Sequence, residues 1–453
     1  MTPPRLTLRD VIAEWRPTLA LSVPVALGQV GIMTMALVDT AMVGTLGREA
    51  VGAVGVGGSL YGVALLTGIG LLLGLDREVS VAHGAGDRAT AARVAGQGVW
   101  LALAVGAPLT LALRYGHVVF DLIGVASTLR GPARDYLGVV ALSLAPALVF
   151  TAQRQALQAV GDTRFATALL LAANGVNALA NYALIHGHLG APALGLRGAA
   201  WATVASRLFL LAGLAWWTSR RGLGLGSSGW APHGPTLRSL ARLGAPSAVH
   251  LVFESGVFSL STLLAARIGA TSAAAHQVVL QIASFTFMVP LGISSAGAVR
   301  VAYAVGRGDG AGARLAGWSA VALAVAFMAA SAVTLVLAAG PILSVFRLDP
   351  EVTALARTLL LCAAFFQLFD GAQVSLAGVL RGLGDTVSSM AANIAAHWGV
   401  GLPLGYALAF GAGLGAVGLW VGLATGLAVT AVALTFAWHR RSRAVVAESL
   451  RST

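Results

Sequence analysis

Apolar residues run in stretches of about 18 or more along the whole chain, each long enough to cross a bilayer core as a helix, and short polar connections bearing Gly or Pro separate them. The pattern predicts twelve spans, near 17–43, 51–75, 92–113, 136–160, 165–187, 192–217, 240–267, 273–303, 314–338, 352–380, 387–411 and 414–438. Outer-membrane strands would instead alternate over segments of about ten residues. No segment does so, and no soluble domain fits between the spans. The expected fold class is an all-α membrane protein of twelve transmembrane helices.

Composition removes the soluble readings. Hydrophobic residues make up 57% of the chain and charged residues 10%, against about 25% charged in a soluble domain. A formal charge of +12 would suggest nucleic acid in a soluble protein. Here all 29 basic residues are Arg, and numbering the loops alternately from a cytoplasmic N-terminus puts about 20 inside, about 8 outside and Arg207 within a span. Arg77, Arg88, Arg93, Arg154, Arg300, Arg307 and Arg441 belong to the inside set. Both termini are therefore predicted cytoplasmic, and the partner of this charge is the lipid bilayer; no nucleic acid is expected. The first run is too long for a signal-peptide core and is expected to stay as helix 1. Without lysine the chain cannot form a P-loop, so uphill transport must draw on an ion gradient or a partner. A single cysteine, Cys362, allows neither an intrachain disulfide nor a cysteine metal cluster.

Sliding the chain on itself by 222 positions sets Pro24 on Pro246, Gly47 on Gly269, Gly84 on Gly306, Gly86 on Gly308 and Asp87 on Asp309. A shift of 223 pairs Gly161-Asp162-Thr163 with Gly384-Asp385-Thr386, and a shift of 220 pairs Gly195 and Gly198 with Gly415 and Gly418. Each copy holds an even number of spans, so the copies are parallel repeats about an axis along the membrane normal. The expected organisation is an N-terminal six-helix lobe at 1–218, a Gly/Ser-rich cytoplasmic linker at 219–238 containing Gly222, Gly224, Gly226 and Ser227-Ser228, and a C-terminal six-helix lobe at 239–453.

Three carboxylates interrupt the apolar runs: Asp39, Glu254 and Asp370. An ionised group at bilayer depth costs roughly 2.5–3.5 kcal/mol on insertion scales, so each needs a polar surface to face. The repeat does not duplicate them. At its shifts Asp39 meets Ser261, Glu254 meets Ile32 and Asp370 meets Ala147, which favours a working role over scaffolding. Gln367 and Gln373 lie three residues either side of Asp370 and share its helical face. Asp39 stands nearer the end of its span, where an interfacial structural role competes. Asn174, Asn177 and Asn181 line one face of the fifth helix, as a ligand stripe or as interhelical hydrogen bonding. His276, Gln277 and Gln281, with Phe253, Phe285 and Phe287, offer an aromatic and polar pocket wall or ordinary packing.

Gly382-Leu-Gly384-Asp385 spells the GxGD of intramembrane aspartyl proteases, yet Gly84-Ala-Gly86-Asp87 and Gly306-Arg-Gly308-Asp309 spell it too. All three fall at predicted cytoplasmic turns, where Gly relieves the backbone and Asp caps the next helix. His186-Gly-His188 is a poor metal site and reads as loop.

Taken together, Val38-Asp39-Thr40-Ala-Met-Val-Gly44, Gly74-Leu-Asp76, Gly84-Ala-Gly-Asp87, Phe253-Glu254, Ala275-His-Gln-Val278 and Asp370 followed by Gly378-Val-Leu-Arg-Gly382 resemble the multidrug and toxin extrusion (MATE) family, in its NorM-like branch. The resemblance spans nearly the whole chain. It implies two six-helix bundles with a V-shaped central cavity, in a bacterial inner (plasma) membrane, exporting cationic or amphiphilic organic compounds in exchange for sodium ions or protons. Glu254 and Asp370 match the family's cation-coupling carboxylates and would be the metal ligands of a sodium-coupled carrier; Asp39 matches the first-helix aspartate and is counted with them as cation-coupling, and Gln277 matches a cavity residue. The expected substrate cavity is Gln277, Gln281, Asn174, Asn177, Asn181, Gln367, Phe253 and Phe285. No cofactor and no enzymatic activity are expected, and a monomer suffices. Arg77-Glu78 departs from the family, which commonly shows uncharged residues there. The alternatives are a flippase for lipid-linked oligosaccharides and an intramembrane aspartyl protease.

Overall fold

The computed structural model describes residues 7–122, 124–222 and 230–452. Of the linker expected at 219–238, residues 223–229 lie outside the described residues.

The chain is helical because a backbone in lipid has only its own carbonyls to bond. In chain order the spans are α1 (Trp15–Gly44), α2 (Arg48–Gly84, interrupted at Leu73), α3 (Arg88–Tyr115), α4 (Ser127–Ala159), α5 (Arg164–His186), α6 (Leu196–Arg220), α7 (Gly234–Ile268), α8 (Ala270–Gly306), α9 (Gly310–Leu337) and α10 (Pro350–Leu383). The predicted eleventh span is a segmented helix, α11. It runs from Val387–Ala396 through a π-helical turn at His397–Gly401, a short α stretch Leu402–Tyr406 and a second π-helical turn at Ala407–Gly411. α12 is Gly415–Ser452. Among the described residues the other eleven spans are each long and apolar enough to cross a membrane. Pro403 lies just past the first π-helical turn, where a missing backbone donor disrupts regular α bonding.

The repeat shows in the turns. Gly86 and Gly308 take φ of 78° and 73°, which glycine adopts at little cost, and reverse the chain before α3 and α9. Asp87 and Asp309 then cap those helices, accepting from Thr90 N–H at 2.9 Å and Gly312 N–H at 2.7 Å. Asp385 caps α11 in the same way, accepting from Ser388 N–H at 3.0 Å. All three GxGD aspartates are thus engaged by turns. A Cβ on Gly198 would fall 2.2 Å from Leu184 O of α5, and one on Gly418 would fall 2.6 Å from Ala409 N of α11, so both repeats seat their last helix through a residue without a side chain.

Two compact units emerge. One comprises the chain through Ala26, Gly84–Gly86 and Val249–Thr453; the other comprises Leu27–His83 and Asp87–Ala248. The units therefore divide within α1 and α7, two residues after Pro24 and Pro246, which the repeat superposes, whereas the repeat expectation placed the boundary in the 219–238 segment. The core of the N-terminal unit gathers Leu72, Leu75, Leu137, Leu144 and Leu148. The C-terminal unit packs around Trp420 with Leu359 and Phe366, and around Trp438 with Leu376 and Leu380. Its first helix is tied down at Arg300, which donates to Thr18 Oγ1 at 2.6 Å and pairs with the Glu14 carboxylate.

Candidate functional site

In the C-terminal unit the acidic residues meet. Glu254 stands on α7 eight residues after Pro246, its side chain 17% exposed. Its Oε1 accepts from Gln373 Nε2 at 3.0 Å, and its Oε2 lies 3.5 Å from His250 Nε2, one helical turn earlier. Asp370 is buried three residues before Gln373 on α10 and acts on Glu254 electrostatically, as His397 of α11 does. No arginine is among the groups acting on either carboxylate.

Neutral polar atoms with unused bonding capacity lie on the same helix as Asp370 and on the helix of His397. Gln373 Oε1, Gln367 Oε1, both ring nitrogens of His397 and both amide atoms of Asn393 are buried without a hydrogen-bond partner among the described residues. Asn393 lies one turn before His397 on α11 and shares its face. Buried polar atoms left unmatched in a native fold cost about 1–3 kcal/mol each, so this arrangement is suited to an ion or water completing it. Among the described residues no three His, Cys, Asp or Glu side chains converge in metal-binding geometry. An ion held here would combine two carboxylates with neutral oxygens such as Gln373 Oε1.

The remaining predicted residues of this unit separate by face. Gln367 is fully buried and donates to Thr286 Oγ1 of α8 at 2.8 Å, joining α10 to α8. Gln277, Gln281 and Phe285 recur every four residues on α8 and form one exposed to half-exposed stripe; Phe253 on α7 is exposed as well. His276 points inward, where Nδ1 accepts from Trp420 Nε1 at 3.2 Å and Nε2 lies 3.1 Å from Thr262 Oγ1. That histidine is a structural bridge.

Asp39 belongs to the N-terminal unit. Its Oδ1 accepts from Asn181 Nδ2 at 2.5 Å, and Asn181 also donates to Asn177 Oδ1 at 3.2 Å. Two of the three predicted asparagines thus hold the aspartate. The third, Asn174, turns its amide back to Leu170 O at 2.9 Å. Arg207 of α6 acts on Asp39 electrostatically. Arg77 and Glu78, the departure from the family pattern, neutralise each other as an ion pair.

Sequence reasoning missed four residues. His250 was visible as an i, i+4 neighbour of Glu254, and Asn393 with His397 as a polar pair in an otherwise apolar run. Arg154, counted with the inside loop arginines, is a half-buried residue of α4 with an enclosed Nε; only its five-residue distance from the helix end suggested a loop.

A family model described as MatE matches residues 24–183 and 246–407, two blocks that begin on the repeat-related prolines. The chain is 37% identical over 441 residues to a probable multidrug resistance protein NorM of Mesorhizobium japonicum, covering 95% of this chain and 94% of that one. It is 32% identical over 449 residues to the multidrug resistance protein PmpM of Pseudomonas aeruginosa, covering 97% and 94%. Among solved structures, a MOP superfamily transporter from Pyrococcus furiosus matches with a TM-score of 0.88 at 20% identity over 98% of this chain and 99% of that one. The eukaryotic MATE transporter AtDTX14 matches at 0.85 and 20% identity, over 97% and 100%.

Proposed function

The chain belongs to the MatE family, and from that premise we propose that it is a secondary active multidrug efflux antiporter, exporting cationic or amphiphilic organic compounds against an inward flow of sodium ions or protons. The observation that carries this reading is the carboxylate pair. Glu254 and Asp370 lie close enough to act on each other in a buried polar nest without an arginine, so a mobile cation is the natural counter-charge. The multidrug resistance names of its relatives support a drug as the cargo. The stripe of Gln277, Gln281 and Phe285, with Phe253, supplies apolar and hydrogen-bonding surface of the kind such cargo needs. Cation and drug then compete for the carboxylates or prefer opposite conformations; coupling of about 1–3 kcal/mol is typical of such linkage.

The same reading places the protein in a bacterial inner membrane with both termini cytoplasmic, working without a cofactor and complete as a monomer. A flippase for anionic lipid-linked sugars is disfavoured by the acidic character of the Glu254 nest. A protease is disfavoured because Asp385, its supposed catalytic aspartate, caps α11 and pairs with Arg441 at 2.8 Å.

Ethidium efflux from cells and from vesicles, under an imposed sodium gradient and then an imposed pH gradient, tests the proposal and distinguishes the two ions. Glu254→Gln and Asp370→Asn are each expected to reduce driven efflux to background while expression survives. Full efflux in both variants would reject the assignment.

A further inference from the structure

The N-terminal unit holds two arginines that its carboxylates do not balance. Arg207 lies midway along α6, on the same side as the buried Thr203, Leu210 and Leu214, and Arg154 lies five residues before the end of α4. α4 packs against α6, and the two guanidinium groups act on each other electrostatically. Each Nε is buried without a hydrogen-bond partner, and neither residue has an ion-pair partner among the described residues. Both residues are half-buried. The carboxylate that acts on Arg207 is Asp39, and Asn181 already holds one of its oxygens. Among the described residues no carboxylate acts on Arg154, and the charge of the two guanidinium groups is carried within a membrane-spanning bundle.

A guanidinium presents its donors as a planar fork matched to the oxygens of phosphate or carboxylate, and two such forks on packed helices can share one oxyanion. We propose that Arg154 and Arg207 form an oxyanion-binding site within the N-terminal unit, taking a phosphate group, either free or as the phosphodiester of a lipid headgroup. The site is separate from the Glu254 nest, and its existence does not depend on what the protein exports. It gives Asp39 a second role as the internal competitor of the bound anion.

Purified, delipidated protein titrated with inorganic phosphate at pH 6, against chloride at equal ionic strength, and separately with short-chain phosphatidylglycerol below its micellar concentration, reads binding as a dose-dependent rise in Tm. At least one ligand is expected to bind. A response to phosphate identifies a free ion, and a response to the lipid alone identifies a headgroup. Arg154→Gln and Arg207→Gln are each expected to weaken binding at least about tenfold, since each removes one fork of a charge-assisted pair. Should either glutamine variant fail to fold, Arg154→Lys and Arg207→Lys keep the charge and lose the fork, with several-fold weaker binding expected. Asp39→Asn is expected to tighten binding, an effect that a merely structural arginine pair would not produce. No response to either ligand in the wild-type protein, unchanged affinity in the arginine variants, or weaker binding in Asp39→Asn would overturn the proposal.

Discussion

Around Glu254 two carboxylates share their surroundings with histidines and amides, whereas around Asp39 a single carboxylate shares its surroundings with asparagines and an arginine, Arg207. The helices that carry these groups are repeats of one another, with matching caps, matching glycines and matching prolines. The comparison separates two kinds of information in the chain. Devices that every six-helix copy needs in order to fold are present twice, and charge that does work differs from one copy to the other. Within the spans of one half two carboxylates stand together with no arginine acting on them, whereas in the other half an arginine acts on the carboxylate.

The contrast breaks most visibly on activity. If the acidic half supplies the coupling, Glu254→Gln removes driven efflux entirely while Asp39→Asn only lowers it, and equal loss in both would mean that the halves share the task. Dye efflux normalised to the amount of protein in the membrane decides this. The shared scaffold makes the opposite forecast. Gly198→Ala and Gly418→Ala each press a methyl group into a neighbouring backbone, and overpacking of this kind costs about 1–3 kcal/mol. Thermal unfolding in detergent should show a similar fall in Tm for both, and a large difference would show that the repeats are not built alike. Loss of a cap is smaller still: Asp309→Ala should cost about 1 kcal/mol.

The weakest effect concerns acid. Burial pushes the Asp385 carboxyl upward, but the Ser388 N–H and hydroxyl and the Arg441 guanidinium outweigh it and hold it below the ordinary value of 3.8. A carboxylate lowered on folding adds stability that is fully present above its unfolded value and fades as pH falls through its folded value. Tm measured from pH 6 down to pH 3 should therefore fall less steeply in Asp385→Asn than in the parent; an identical slope would remove Asp385 from the account.

Much of this was legible in the residues because it is local. Apolar runs predict spans, Gly-Asp turns predict caps, and an acid inside an apolar run predicts a polar face. Resemblance to a family then joined Glu254 to Asp370, which lie 116 positions apart. What stayed hidden depends on packing between distant helices. Nothing near Gln373 shows that its amide reaches Glu254, and nothing in the run from 387 to 411 shows that it turns His397 toward the same carboxylate. Gln277 and His276 are adjacent, and which one faces inward is decided by Trp420, 144 positions from the histidine. Arg154 misled for a simpler reason, since an arginine near a helix end ordinarily reaches for the membrane surface.

Pro24 and Pro246 lack the amide hydrogen that would bind the carbonyl four residues earlier, so α1 and α7 are already released at those points. Each helix passes from one compact unit to the other two residues beyond its proline. Bending of either helix can therefore be taken up by rotation about a few backbone bonds at its proline, with the helical ladder on either side left intact.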